Sequence, residues 1–204
     1  MRTGRKSRRS AAPRKKAHRL PDVAVLIGSL RQNSFSRRLA DAIARVSGPR
    51  LTFRMPDLRL PLYDDDEFRD APPESVAAMK ACVSAADAIL FVTPEHNRSI
   101  PAALKNTIDW GSRPRGQSCW AGKPAAIVGG SIGLRGAAIA QAHLRSMLVS
   151  LECRLLGQPE LYIHYTPDNL AALESPGTDQ VLAGFAAKFE AWILHQSERR
   201  ETRP

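Results

Sequence analysis

The stretch Val23-Ala-Val-Leu-Ile27, followed at once by Gly28-Ser-Leu-Arg-Gln-Asn-Ser-Phe-Ser36, decides the fold. Five consecutive apolar residues ended by glycine have the pattern of a strand buried on both faces, since a strand with one wet face would alternate. The polar loop then opens into a helix, because Leu39, Ala42, Ile43 and Val46 recur at helical spacing.

The same unit recurs along the chain. A shorter, alternating strand is expected over 51–55, and Pro73 with Val76, Met79 and Val83 marks a second helix. Ala88-Ile-Leu-Phe-Val92 is another apolar strand, stopped by Thr93-Pro94, and Pro101 begins a helix carrying Leu104, Ile108 and Trp110. Pro124-Ala-Ala-Ile-Val128 runs into Gly129-Gly130 and a helix over 136–150. A fifth strand is expected over 153–156 and a closing helix over 178–197, with Val181, Phe185, Phe189 and Trp192. Strand and helix alternating five times require a parallel sheet covered on both faces and joined by right-handed crossovers. In such α/β sheets a ligand sits beyond the carboxyl ends of the strands, at a topological switch point. The polar and glycine residues gather in the loops that leave those ends, 28–36, 93–99 and 129–136, and the site is expected there.

Each loop has its own chemistry. In the first, the hydroxyls of Ser29, Ser34 and Ser36, the guanidinium of Arg31 and the free amides of a helix start surround one small volume, which suits a terminal phosphate. The same residues also read as a well-capped helix, with Ser34 or Asn33 as N-cap. No GxxxxGK[ST] and no GxGxxG is present, so a monophosphate fits better than a nucleoside triphosphate or a dinucleotide. The second loop, Thr93-Pro-Glu-His-Asn-Arg-Ser99, is stiffened by Pro94 and Pro101 and offers Glu95, His96, Asn97 and Ser99 to the edge of a planar heterocycle. It also reads as an ordinary solvated loop. The third, Gly129-Gly-Ser-Ile-Gly-Leu-Arg-Gly136, lets backbone approach a ligand closely. No residue has the context of a catalytic nucleophile, base or metal ligand. Ser29 lacks a GxSxG setting, the run Asp64–Glu67 reads as a solvated loop, and no side-chain acid or base is expected to carry chemistry.

Composition agrees with one domain of ordinary size. The chain has 204 residues, 43% of them hydrophobic and 25% charged, and no apolar run of membrane-spanning length. Its formal charge of +10 is unevenly placed. Residues 1–20 hold nine Lys/Arg and no acid, so the remaining body carries 21 bases against 20 acids. Residues 1–20 therefore read as a disordered basic arm, 21–197 as the folded domain and 198–204 as a C-terminal tail. The arm's composition also fits a transit peptide or a weak polyanion contact. Three cysteines without disulfide or metal spacing point to a reducing, cytoplasmic setting.

Seven stretches taken together resemble the NAD(P)H-dependent FMN reductase family, in the branch that contains bacterial chromate and quinone reductases. They are Gly28-Ser-Leu-Arg31 with Ser34; Pro61-Leu-Tyr-Asp64; Thr93-Pro-Glu95 with Asn97 and Ser99; Leu104-Lys-Asn106 with Asp109-Trp110 and Ser112-Arg113; Gly122-Lys-Pro124; Gln141 with His143-Leu-Arg145; and Pro159-Glu160. The resemblance covers roughly residues 22–165. It implies a flavodoxin-like three-layer fold with a five-stranded parallel sheet of order 2-1-3-4-5, noncovalently bound FMN, NADPH or NADH as co-substrate, and a homodimer or homotetramer. Ser29, Arg31, Ser34 and Ser36, with Phe35 between them, would hold the FMN phosphate end. Pro94, Glu95, His96, Asn97 and Ser99 would line the isoalloxazine, with Ser131 and Gly133 closing its other side. His96 stands where the family usually has Tyr, Ser36 where it often has Asn, and Ile139 and Ala142 where it has Arg and Tyr. The implied reaction passes electrons from NAD(P)H through FMN to a quinone, free flavin, azo compound or metal oxyanion such as chromate. A flavodoxin-type electron carrier and a non-catalytic FMN-binding module are the alternatives; the near-neutral body disfavours a carrier that docks by charge.

Overall fold

The computed structural model describes residues 19–67 and 71–201. Its order is β1 (Asp22–Ile27), α1 (Phe35–Ser47), β2 (Thr52–Arg54), α2 (Glu74–Ala85), β3 (Ala88–Thr93), α3 (Ala102–Gly111), β4 (Pro124–Ser131), α4 (Ala138–Ser150), β5 (Arg154–Leu155), β6 (Leu161–His164) and α5 (Pro176–Glu201). All pairings are parallel, in the order β2-β1-β3-β4-β5.

The continuous apolar runs follow from two cores that share one sheet. Ala24, Leu26, Ile89, Phe91, Ala125 and Ile127 point to one face, where α2, α3 and α4 deliver Val76, Met79, Leu104, Ile108, Leu144 and Leu148. Their neighbours Val23, Val25, Ile27, Leu90, Val92, Ala126 and Val128 point to the other, onto Leu39 and Ile43 of α1 and Phe185 and Phe189 of α5. A strand wet on neither face has no need to alternate, and β1 and β3 are buried along their whole length.

One strand was absent from the sequence reading. The fifth strand is shorter than 153–156, and its place in the sheet is taken by two pieces. Arg154 and Leu155 pair with Pro124 and Ala125; the chain then leaves the sheet and returns as β6, which pairs Leu161–His164 with Val128–Ser131. Pro159, which has no N–H to give a ladder, lies in the excursion.

The expected arm lies outside the described residues, except Arg19 and Leu20. Arg19 forks onto both oxygens of Asp87 at 2.8 and 2.7 Å, which ties the end of the expected arm to the body. The closing helix runs on to Glu201, so part of the expected tail is helical.

Candidate flavin site

The first two loops are held together at the carboxyl edge of the sheet. The Gly28 amide donates to the Val92 carbonyl at 2.9 Å, and a Cβ at Gly28 would stand 3.1 Å from Pro94 Cδ and 3.4 Å from Pro101 Cγ. Between these loops opens a cleft of about 460 Å³ lined by Ser29, Arg31, Ser34, Phe35, Ser36, Pro94 and His96. Leu30, Pro101, Ala102, Ala103 and Tyr165 complete the wall.

The polar groups in this cleft are largely uncommitted. Ser34 caps α1, its Oγ accepting from the Arg37 amide at 3.1 Å, which leaves the hydroxyl proton free to donate. Arg31 is exposed, and its guanidinium makes no hydrogen bond or ion pair among the described residues. The same holds for the hydroxyl of buried Ser36. A cation, free hydroxyls and the positive end of a 13-residue helix facing one cavity form an acceptor site for a phosphate group.

Tyr165 comes from a segment that the sequence reading left blank. It follows β6, and its ring stacks on Phe35 with centroids 3.6 Å apart and planes within 5°. Burial raises its phenol above the ordinary value, while the charge of Arg31 opposes the rise. Phe35 is seated against Gly130, where a Cβ would come within 2.3 Å of the ring. Gly130 thus makes room for the aromatic wall of the cleft.

Five of the expected ligand residues, Glu95, Asn97, Ser99, Ser131 and Gly133, stand outside the cleft lining. The Glu95 carboxylate is buried, accepting from the backbone amides of Ile139 at 3.1 Å and Ala140 at 3.2 Å while pairing with Arg98 at 3.3 Å. The first turn of α4 receives no cap from its own N-cap residue, Ala137, and Glu95 supplies it from the second loop. Asn97 is exposed and sits with Arg98 at positive φ, 49° and 65°, in a tight turn closed by reciprocal 2.9 Å bonds between His96 and Ser99. The Ser99 hydroxyl faces His143 Nδ1 at 3.2 Å. Ser131 Oγ donates to the Gly133 carbonyl and accepts from the Ala137 amide, shaping the third loop from within.

Fold and cleft together define a flavodoxin-like α/β protein with a polar cleft at the carboxyl ends of β1 and β3. Comparison with known proteins narrows this class. Residues 21–168 match the family model described as NADPH-dependent FMN reductase. A 2-hydroxy-1,4-benzoquinone reductase from a Burkholderia species is 45% identical over 175 residues, which span 84% of this chain and 95% of that protein. A quinone reductase from Pseudomonas putida is 41% identical, over 84% of this chain and 94% of that protein. Among solved structures, a flavoenzyme NAD(P)H:(acceptor) oxidoreductase from Paracoccus denitrificans superposes with a TM-score of 0.81 at 40% identity, covering 87% of this chain and 99% of that one. The chain belongs to the NADPH-dependent FMN reductase family and is an FMN-dependent NAD(P)H oxidoreductase. Among the described residues no helix is long and apolar enough to cross a membrane.

Proposed function

We propose that the 460 Å³ cleft holds FMN with its phosphate on the first loop, and that the enzyme passes electrons from NAD(P)H to a benzoquinone-type acceptor. The observation that carries this reading is the set of unspent donors around Arg31, Ser29 and Ser36, beside an apolar wall wide enough for a planar ring. FMN supplies the hydride chemistry when bound, so the protein's part is to bind, orient and shield it. Arg31 and the serine hydroxyls hold the phosphate, and the Ser34 cap keeps the α1 amides aimed at it. The Phe35–Tyr165 stack gives a flat wall, and Pro94 and Pro101 hold the opposite wall stiff. Glu95 fixes the second loop to α4, so the position of that wall is set by a buried carboxylate. The quinone acceptor is supported by the relatives named quinone reductase.

The catalytic domain is assigned to residues 21–197. Ile132, Leu134 and Val149, 71%, 88% and 64% exposed, support self-association as a homodimer or homotetramer, which light scattering on the eluted protein measures. A cytoplasmic setting and a weak, salt-sensitive contact of residues 1–20 with polyanions complete the proposal.

The deciding experiment is one spectrum and one assay. The purified protein is expected to absorb near about 370 and 450 nm and to oxidise NADH or NADPH when 1,4-benzoquinone is added. A colourless protein that cannot be loaded with FMN, or one that reduces no quinone, overturns the proposal.

A further inference from the structure

A second, smaller cleft of about 240 Å³ adjoins the flavin cleft across the first loop, sharing Ser29, Leu30 and Arg31 with it. Arg31, Arg37 and Arg59 all line it, against a single carboxylate, Asp57. That carboxylate is taken, since Asp57 Oδ1 pairs with Arg59 at 3.3 Å. Arg59 is held in place by a second bond, donating to the Leu30 carbonyl at 2.7 Å. Arg37 is half-buried on the first turn of α1, and its guanidinium has one hydrogen-bond partner among the described residues, the thioether sulfur of Met55 at 2.6 Å. A thioether is a weak acceptor and carries no charge. Three guanidinium groups converging on one cavity, two of them without a carboxylate, leave a local excess of positive charge that the protein itself does not balance.

From this we infer that Arg37 and Arg59 in this cleft bind the 2′-phosphate of NADPH and make the enzyme prefer NADPH to NADH. The inference rests on the reading that NAD(P)H is the reductant at the neighbouring flavin. A cavity of this size is below the range that encloses a whole cofactor, but it accommodates a phosphorylated ribose. The flavin phosphate takes Arg31 and the serine hydroxyls of the neighbouring cleft, which leaves Arg37 and Arg59 to a second phosphate. The second phosphorylated compound that the reaction requires is the nicotinamide dinucleotide, whose two forms differ only by the 2′-phosphate. Arginine is the side chain suited to that group, because its planar fork meets two phosphate oxygens at once. Arg59, braced by Asp57 and the Leu30 carbonyl, and Arg37, free to swing from Met55, form the two sides of the clamp.

The test uses FMN-loaded protein. Calorimetry with adenosine 2′,5′-bisphosphate, adenosine 5′-monophosphate and inorganic phosphate separates the 2′-phosphate from the rest of the nucleotide. The bisphosphate is expected to bind at least tenfold tighter than the monophosphate in the wild type, and no tighter in Arg37→Gln. In steady-state assays Arg37→Gln is expected to lower kcat/KM for NADPH by about 10- to 100-fold, the size of a lost charge-assisted bond. NADH is expected to stay within about twofold, and Arg37→Lys to recover part of the loss. Equal binding of the two adenosine nucleotides, or a parallel loss with NADPH and NADH, overturns the inference. So does inorganic phosphate binding as tightly as the bisphosphate, which would make the cleft a site for small free anions. The flavin spectrum and NADH turnover monitor the other reading separately. If they are absent from the wild type, the flavin assignment fails; if they are present without selectivity, this inference fails alone.

Discussion

Position 31 is where charge and exposure have to coincide. Arg31 follows the buried β1 by four residues and stands exposed at the mouth of the flavin cleft, with no described partner to share its charge. Losing a charge-assisted bond to phosphate costs about 1.5–3 kcal/mol, or on the order of 10- to 150-fold in affinity. Arg31→Ala is therefore expected to weaken FMN by that factor and riboflavin, which has no phosphate, hardly at all. Fluorescence titration of both flavins measures the difference, and equal losses would show that Arg31 acts on the fold. Glu95 offers the converse case. Its carboxylate is spent on the α4 amides, so Glu95→Gln is expected to lower stability by about 1–2 kcal/mol, as for a lost cap and its favourable charge at a helix end. A urea melt reads this, and an unchanged midpoint with weakened FMN would put the carboxylate on the flavin. The two residues differ in how far the sequence announces them. Arg31 belongs to a loop whose chemistry is local and is read from neighbours. Glu95 acts on amides 44 and 45 positions away, and no spacing rule connects them.

Among the elements, the long apolar strands were legible because burial on both faces leaves an uninterrupted run, and β1, β3 and β4 stand where those runs stand. β6 was not. It has four residues, of which Leu161 alone is buried, and it begins just after Pro159 and ends in His164, so neither length nor composition separates it from a loop. With β6 the sequence reading also missed Tyr165, and with it half of the aromatic wall. Gly130 at the end of β4 and Gly133 just beyond it show how differently neighbouring positions are constrained. A Cβ at Gly130 would press 2.3 Å from Phe35 and 2.8 Å from the Ile163 carbonyl, whereas one at Gly133 would meet nothing closer than Ser131 Oγ at 3.5 Å. Gly130→Ala is expected to cost about 1–3 kcal/mol through overpacking and to weaken FMN by displacing the Phe35–Tyr165 stack. Gly133→Ala is expected to leave both stability and FMN affinity within experimental error. Thermal melts with and without FMN check the pair. If the Gly133 variant alone loses flavin, the third loop lies against the ligand.

Across the whole molecule, the three thiols report how the body is packed and how it responds to alkali. Cys119 and Cys153 are buried and unpaired, and Cys82 is half-exposed. Burial pushes the Cys119 thiol up to about 11 and the Cys153 thiol up to about 12, from an ordinary value of 9.0. At pH 8 a disulfide exchange reagent is thus expected to modify Cys82 first, and the other two only when the protein is unfolded. The direction of the pH effect follows from proton counting. Above about pH 9 the unfolded chain releases these two protons while the folded chain keeps them, so the folded state binds more protons and stability falls as pH rises. The fall begins near pH 9 and continues through the folded values, from about 11 to about 12. By pH 10 each thiol is expected to withdraw roughly 1.4 kcal/mol. Tyrosines and lysines titrate in the same range, so the comparison must be with a chain that lacks the thiols. Urea denaturation of wild type and a Cys119→Ala/Cys153→Ala variant at pH 8 and pH 10 isolates their share. The variant starts from a lower stability at pH 8 because it loses buried volume, yet it is expected to lose about 2–3 kcal/mol less than wild type on going to pH 10. Equal losses in the two proteins would mean that the thiols reach solvent and titrate in the folded state as they do in the unfolded chain.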